Sequence, residues 1–312
     1  MRRFNCAARA DHPAWAAAAY IVAVRIAIGL LVVLLSCVPA GAEEARLFVG
    51  GNAFKPLTAA PRWPQFTLGY ARVLDGEGIF GDETFGNAGY SDLWQASFGD
   101  SVAFYSGPGF GLDTFELGVQ AALFATLDLQ NQSQPLINAD YMAGGYVAGR
   151  AGRVGVLTRV YHISSHLGDE LLLFGPPVFR KNFSYESWET FVDYEGELRG
   201  VRLRPYAGGG WIFHETGPDK YGDLSLQYGL DAELPYLDEY SVVPFAAVDV
   251  QHLQSLDWQA DVSAQLGVRL RQPDADGGQF SIALTYYDGR NPSGQFFVDD
   301  LRTAGVAIRY SF

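Results

Sequence analysis

Arg153-Val-Gly-Val-Leu-Thr-Arg-Val-Tyr-His-Ile-Ser-Ser-His-Leu-Gly-Asp-Glu170 is the stretch on which the reading of this chain turns. Successive side chains of a β-strand point to opposite faces. Here Val154, Val156, Thr158 and Val160 share one parity while Arg159 takes the other, so the even face is the apolar one. The same parity, carried forward, brings His162, Ser164 and His166 onto that apolar row. Three polar groups on an apolar face set pattern against residue, and such conflicts mark functional positions.

A second stretch, Asn182-Phe-Ser-Tyr-Glu-Ser-Trp-Glu-Thr-Phe-Val-Asp-Tyr-Glu195, reads as the antiparallel partner. Trp188, Thr190, Val192 and Tyr194 form its apolar row, Glu189, Asp193 and Glu195 take the other face, and Ser184 and Glu186 continue the apolar one. Opposed residues of an antiparallel pair share a face. One register sets His162 against Glu186 and Ser164 against Ser184, and a two-residue slip opposes Ser164 to Glu186. In both, His162, Ser164 and Glu186 fall within direct or diagonal reach.

A hydroxyl beside an imidazole beside a carboxylate is the arrangement of an activated nucleophile, in which the base takes the serine proton and the acid orients the base. The intervening loop leaves the third member open between Glu186 and the loop residues Asp169 and Glu170. The plainer reading is that His162 and Ser164 occupy the headgroup zone of a membrane, where polar side chains cost only roughly 0 to 1 kcal/mol. His166 and Asp169 then belong to a wetted loop. No cofactor or metal is expected. Calcium would suit Asp169 and Glu170 but not the imidazoles of His162 and His166.

The ends and totals bound the class. Arg2, Arg3 and Arg9, the apolar run Ile26 to Leu35 and Ala40-Gly41-Ala42 make residues 1 to 42 an expected signal peptide. The alternatives are a lipoprotein-type site at Cys37 and an anchor over residues 13 to 35, which Arg25 interrupts. Cys6 and Cys37 are the only cysteines, so the remainder has neither disulfide nor cysteine metal site. Without Arg2, Arg3, Arg9, Arg25 and Asp11 the chain keeps 18 basic and 34 acidic residues, a balance that excludes nucleic acid as a partner.

Residues 43 to 64 read as a periplasmic lead-in or plug segment, and residues 65 to 312 as the barrel. From Gln65 onward the chain alternates through twelve segments of 10 to 16 residues: 65 to 75, 91 to 106, 113 to 127, 138 to 150, 154 to 166, 183 to 196, 200 to 213, 223 to 234, 242 to 252, 257 to 271, 279 to 288 and 302 to 312. Longer links alternate with shorter ones, although the contrast weakens around 235 to 278. The pattern predicts an all-β protein, a transmembrane antiparallel up-and-down barrel of about 12 strands with short periplasmic turns and longer extracellular loops. A soluble sandwich would favour strands of about five or six residues. Inward Arg159, Glu189, Asp193, Arg202, Arg204 and Asp231 are expected to pair across the lumen. Parity sends His214 inward and His252 outward, and Arg180 with Lys181 is placed to meet a lipid phosphate. Gly107-Pro-Gly-Phe-Gly111 and Gly208-Gly-Gly210 lack the lysine and helix of a phosphate loop and read as turn and wall glycines.

Three resemblances rest on particular residues. Arg309-Tyr-Ser-Phe312 resembles the terminal signature by which the barrel assembly machinery recognises Gram-negative outer-membrane barrels, which implies that machinery as a partner through Phe312. Phe54-Lys-Pro-Leu-Thr-Ala-Ala-Pro-Arg-Trp-Pro-Gln-Phe66, Ser164-Ser-His-Leu-Gly-Asp-Glu170 and Ser184-Tyr-Glu186 resemble domain-of-unknown-function family 1207 of outer-membrane proteins, a likeness that brings no activity. His162-Ile-Ser164 near a strand's outer end is similar to the motif of outer-membrane phospholipase A and lipid A 3-O-deacylase. Those families imply His162 as base, Ser164 as nucleophile and Glu186 as orienting acid, although Ser165 stands where they carry Asn. The resulting expectation is an outer-membrane lipid acyl-ester hydrolase, with lipid and a homodimer among its partners. The alternative is a structural barrel or small porin.

Overall fold

The computed structural model describes residues 46–51, 53–81, 89–176, 178, 180, 183–216, 224–235, 241–271 and 279–311. The expected signal peptide, Lys181 and Phe312 lie outside these residues.

Twelve long antiparallel strands form one sheet that closes on itself: β1 Phe66–Gly76, β2 Asp92–Gly109, β3 Leu112–Asp128, β4 Leu136–Ala151, β5 Val154–Leu167, β6 Phe183–Tyr194, β7 Val201–Thr216, β8 Leu224–Glu233, β9 Val242–Leu253, β10 Asp261–Arg271, β11 Gln279–Arg290 and β12 Asp300–Ser311. Each pairs with the next, and β12 returns to β1 through rungs such as Val306↔Tyr70 and Ile308↔Leu68. Closure leaves no edge, so the backbone polar groups of the cylinder are satisfied within it and the wall can face hydrocarbon.

Alternation sets the two faces. On β5, Val154, Val156 and Val160 are exposed on the outside, whereas Leu157, Arg159, Tyr161 and Ile163 are buried inside. The same outward row recurs as Leu224, Leu226 and Tyr228 on β8 and as Val306, Ile308 and Tyr310 on β12. A continuous apolar exterior of this kind is stable only against lipid. Strands therefore cross the membrane, and among the described residues no helix is long and apolar enough to do so.

The tight links lie at the end that holds both Phe66 and Ser311. Phe110 and Gly111, joining β2 to β3, have φ of 53° and 77°, the pair of positive values that a two-residue turn needs to match strand twist. At the opposite end the loop between β5 and β6 departs from an all-β path. Asp169–Phe174 forms one short helix, with Asp169 and Glu170 in its first turn, where acidic groups complement the helix dipole. Leu171 anchors it beside Ile137 and Leu167.

A plug occupies part of the lumen, and cavities remain beside it, one lined by Arg159, Tyr185 and Gln227 and another by Gln65, Gln95 and Arg309. Ala53, Phe54, Leu57, Ala60 and Trp63 pack inside against Tyr146, Leu157, Phe191 and Tyr206. Fully burying such aliphatic or aromatic side chains contributes about 1.5–3 kcal/mol each. Arg150 donates to the carbonyl of Ala53 at 3.0 Å, Arg204 donates to that of Lys55 at 2.8 Å, and Thr58 donates to Asp231 at 2.9 Å. Arg159 stacks on Trp63, 4.3 Å from the ring centre, and pairs with Glu189 at 2.6 Å. Arg204 pairs with Asp231 and Asp193, and Arg202 with Glu233. Each of these ion pairs joins neighbouring strands, so the pairing expected across the lumen is instead made along its wall, with the plug gripped from it. From the other end, the β11–β12 loop folds inward. Gln295 donates to the Ser165 carbonyl at 2.8 Å, and Phe297 stacks on Phe183.

Candidate active site

The wall of β5, β6 and β7 carries the polar cluster. β5 pairs with β6 so that His162 opposes Glu186 and Ser164 opposes Ser184, the first of the two registers expected from sequence. All four side chains stand on the outward parity, near the strand ends that meet the longer loops. His162 Nδ1 lies 2.8 Å from Glu186 Oε1, and the imidazole is half exposed on the outside of the barrel. A carboxylate bound to Nδ1 fixes the ring's orientation and leaves Nε2 for chemistry.

Ser164 shares that wall, but its hydroxyl is engaged elsewhere. Ser164 Oγ lies 2.9 Å from His166 Nε2. His166 stays within β5 instead of entering the loop, and its ring meets Tyr141 edge-on. The register places Tyr141 directly opposite Ser164. Two imidazoles thus flank Ser164 two positions away on either side, and in this geometry the nearer bond is to His166.

His214 is a correction. Strand parity sends it inward, yet it is largely exposed on the outer wall, with Nδ1 2.5 Å from Glu186 Oε2. The cause is a β-bulge between β6 and β7. Ser187 pairs with Ile212, but Glu186 pairs with His214, so Phe213 is an extra residue. A bulge opposes two residues to one and re-aims the side chains beyond it. Phe213 and His214 are both exposed as a result, while Ile212 remains buried inside. Glu186 thereby holds an imidazole on each oxygen. One rung further out, Ser184 Oγ and Thr216 Oγ1 are 2.6 Å apart.

The other candidates sit apart. Glu170 accepts from Ser133 at 3.0 Å in the helical loop. His252 faces outward on β9, stacked on Tyr228, with Nδ1 2.8 Å from the carbonyl of Trp258. Arg180 is exposed in the β5–β6 loop. Among the described residues no group of three or more His, Cys, Asp or Glu has the arrangement to hold a metal ion.

A family model described as "Protein of unknown function (DUF1207)" matches residues 42–312. The chain belongs to that family. No curated protein matches this DUF1207 chain in sequence. Among solved structures it is similar to outer membrane phospholipase A from Escherichia coli, at 15% identity and a TM-score of 0.49, covering 82% of this chain and 93% of that one. LpxR from Salmonella typhimurium aligns at 12% identity and a TM-score of 0.40, over 80% of this chain and all of that one. The β domain of the Bordetella autotransporter BrkA aligns at 12% and 0.44, covering 80% and 98%. At such identities no residue's role passes from those proteins to this one. The DUF1207 chain is a closed 12-stranded barrel of the Gram-negative outer membrane, its apolar belt turned to lipid.

Proposed function

We propose that this barrel hydrolyses acyl esters of membrane lipid on its outer wall. The observation that carries the reading is the His162–Glu186 hydrogen bond on the lipid-facing side, with the Ser164 hydroxyl two residues along the same face. Ser164 Oγ attacks the acyl carbonyl, an imidazole takes its proton and returns it to the departing alcohol, and water then releases the fatty acid. Glu186 orients His162 as that base. The Ser164–His166 contact makes His166 the competing base, and it is the one specific observation that favours a different assignment. Substrate reaches such a site laterally, as lipid of the outer membrane. The protein partners this reading implies are a second copy of the chain and the barrel assembly machinery, the latter through Phe312. The alternative is a non-catalytic barrel or small porin, whose pore form the plug within the lumen would narrow.

The test is release of fatty acid from phospholipid or lipopolysaccharide by purified protein in detergent. Ser164→Ala should lower the rate by roughly a thousandfold or more. His162→Asn and His166→Asn identify the base, since only the true base should produce a comparable loss. Equal release by wild type and Ser164→Ala would remove Ser164 as nucleophile and return the protein to the structural class.

A further inference from the structure

Among the described residues, Arg309 carries a charge inside the barrel that neither the plug nor the wall answers. It lies on β12 between Ile308 and Tyr310, both exposed on the outside, so its side chain takes the inner face. Its neighbours on the same rung are Thr67 of β1 and Ser281 of β11, and Arg269 of β10 follows one strand further on. Among the described residues its hydrogen bond is Nε donating to Thr67 Oγ1 at 3.4 Å, and no carboxylate pairs with it. The acids nearby are engaged by other arginines: Glu233 by Arg202 and Arg269, Asp231 by Arg204, and Asp140 by Arg62. A guanidinium stays protonated in a protein and offers five donors. A charge withdrawn from bulk water needs a partner.

Arg309 lines one of the cavities beside the plug, together with Gln65, Thr67, Gln95, Gln265 and Thr285. Apart from Arg62 and Asp140, which pair with each other, the remaining lining groups are neutral, so the cavity carries the net charge of one arginine. Gln65 is more than nine-tenths buried, and its side-chain oxygen has no hydrogen-bond donor among the described residues. The side-chain oxygen of Gln265 lacks one as well. The cavity thus combines a forked cation with amides short of a donor. The fork matches a planar carboxylate through two parallel N–H bonds, and the amides match hydroxyl groups. Arg309 sits at the end of the barrel that carries the tight turns, so a ligand arrives from the periplasm.

We propose that Arg309 and the amides beside it bind a small hydroxy-carboxylate, a sugar acid in chemical class, in the lumen next to the plug. The site depends on neither the outer wall nor ester hydrolysis.

Calorimetric titration of detergent-purified full-length protein tests it at matched ionic strength. The probes are gluconate, its uncharged counterpart sorbitol, and chloride as a simple anion. Gluconate is expected to bind at least about tenfold more tightly than either of the others. Arg309→Gln should weaken gluconate by about tenfold or more, the loss expected when a charge-assisted pair is removed. Gln65→Leu, which alters a residue outside the strands, should weaken it in the same direction and carries the test if Arg309→Gln fails to assemble. Arg302→Gln removes an exposed arginine from the outer face of the same strand and should leave the affinity unchanged. Gluconate bound no better than sorbitol or chloride, or bound as well by the folded Arg309→Gln or Gln65→Leu variant as by wild type, overturns the site. An equal loss in Arg302→Gln overturns it too, since overall charge would then suffice. Fatty-acid release enters none of these readouts, so the two readings fail separately.

Discussion

Glu186 shows how a single side chain gains meaning only from its neighbours. In sequence it is one acid among many, and parity alone places it on the lipid side, where an isolated charge is costly. In the structure both its oxygens are held by imidazoles, His162 at 2.8 Å and His214 at 2.5 Å. The first contact was legible because it needs only counting by twos along two adjoining strands. The second was not, because no local residue type announced the bulge. A different acid, Glu195, ties the plug to the turn after β6. Burial raises its pKa, but the hydrogen bond and charge of Lys55 at 2.8 Å, with the charge of Arg150, outweigh that and hold it below the ordinary carboxylate value. A carboxyl whose pKa is lowered on folding stabilises the protein above its unfolded value, and that contribution disappears as pH falls through the lowered one. Wild type should therefore be more thermostable than Glu195→Gln at neutral pH, and the gap in Tm should close on acidification into the carboxylate range. A gap independent of pH would detach Glu195 from the plug's stability.

At the scale of elements, the twelve strands were readable because each alternates over ten residues or more and one wrong step would turn a valine row into the lumen. Their ends moved by only a few residues, as with β7, which runs to Thr216 beyond its expected limit at 213. The short helix Asp169–Phe174 was hidden in a loop, since one turn of Leu-Leu-Leu-Phe carries no helical period long enough to notice. Phe54 and Trp63 likewise gave no strand or helix signal, and their burial follows from the Arg150 and Arg204 side chains that grip the plug's carbonyls. The bulge in β7 carries a deletion test. Because Phe213 is the extra residue in a two-against-one count, removing it leaves a regular ladder with Ile212 inside and His214 still opposite Glu186. Among the described residues the pairing of β8 with β7 runs from Glu233↔Arg202 to Leu224↔Trp211, short of the bulge. The deletion variant should fold, shown by heat-modifiable migration on gels, and should keep fatty-acid release within about threefold of the parent, since Glu186 keeps an imidazole on each oxygen. Loss of release in a folded deletion variant would mean that Phe213 itself, not the placement of His214, matters.

Across the whole molecule, the fold turns a one-dimensional alternation into two solvents. The inner face carries paired arginines, a plug packed on buried aromatics and an inward loop, and the outer face meets lipid. The proposed chemistry depends on His162 belonging to the second. Nitroxide labels on His162→Cys and Ile163→Cys, each in a background with Cys6 and Cys37 replaced by serine and reconstituted in bilayers, test this by electron paramagnetic resonance. The wall-mounted site predicts relaxation by membrane-dissolved oxygen at position 162 and shielding from both oxygen and a water-soluble nickel complex at position 163. Oxygen contact at 163, with position 162 reached only by the nickel complex, would place the histidine on the aqueous interior and contradict the account.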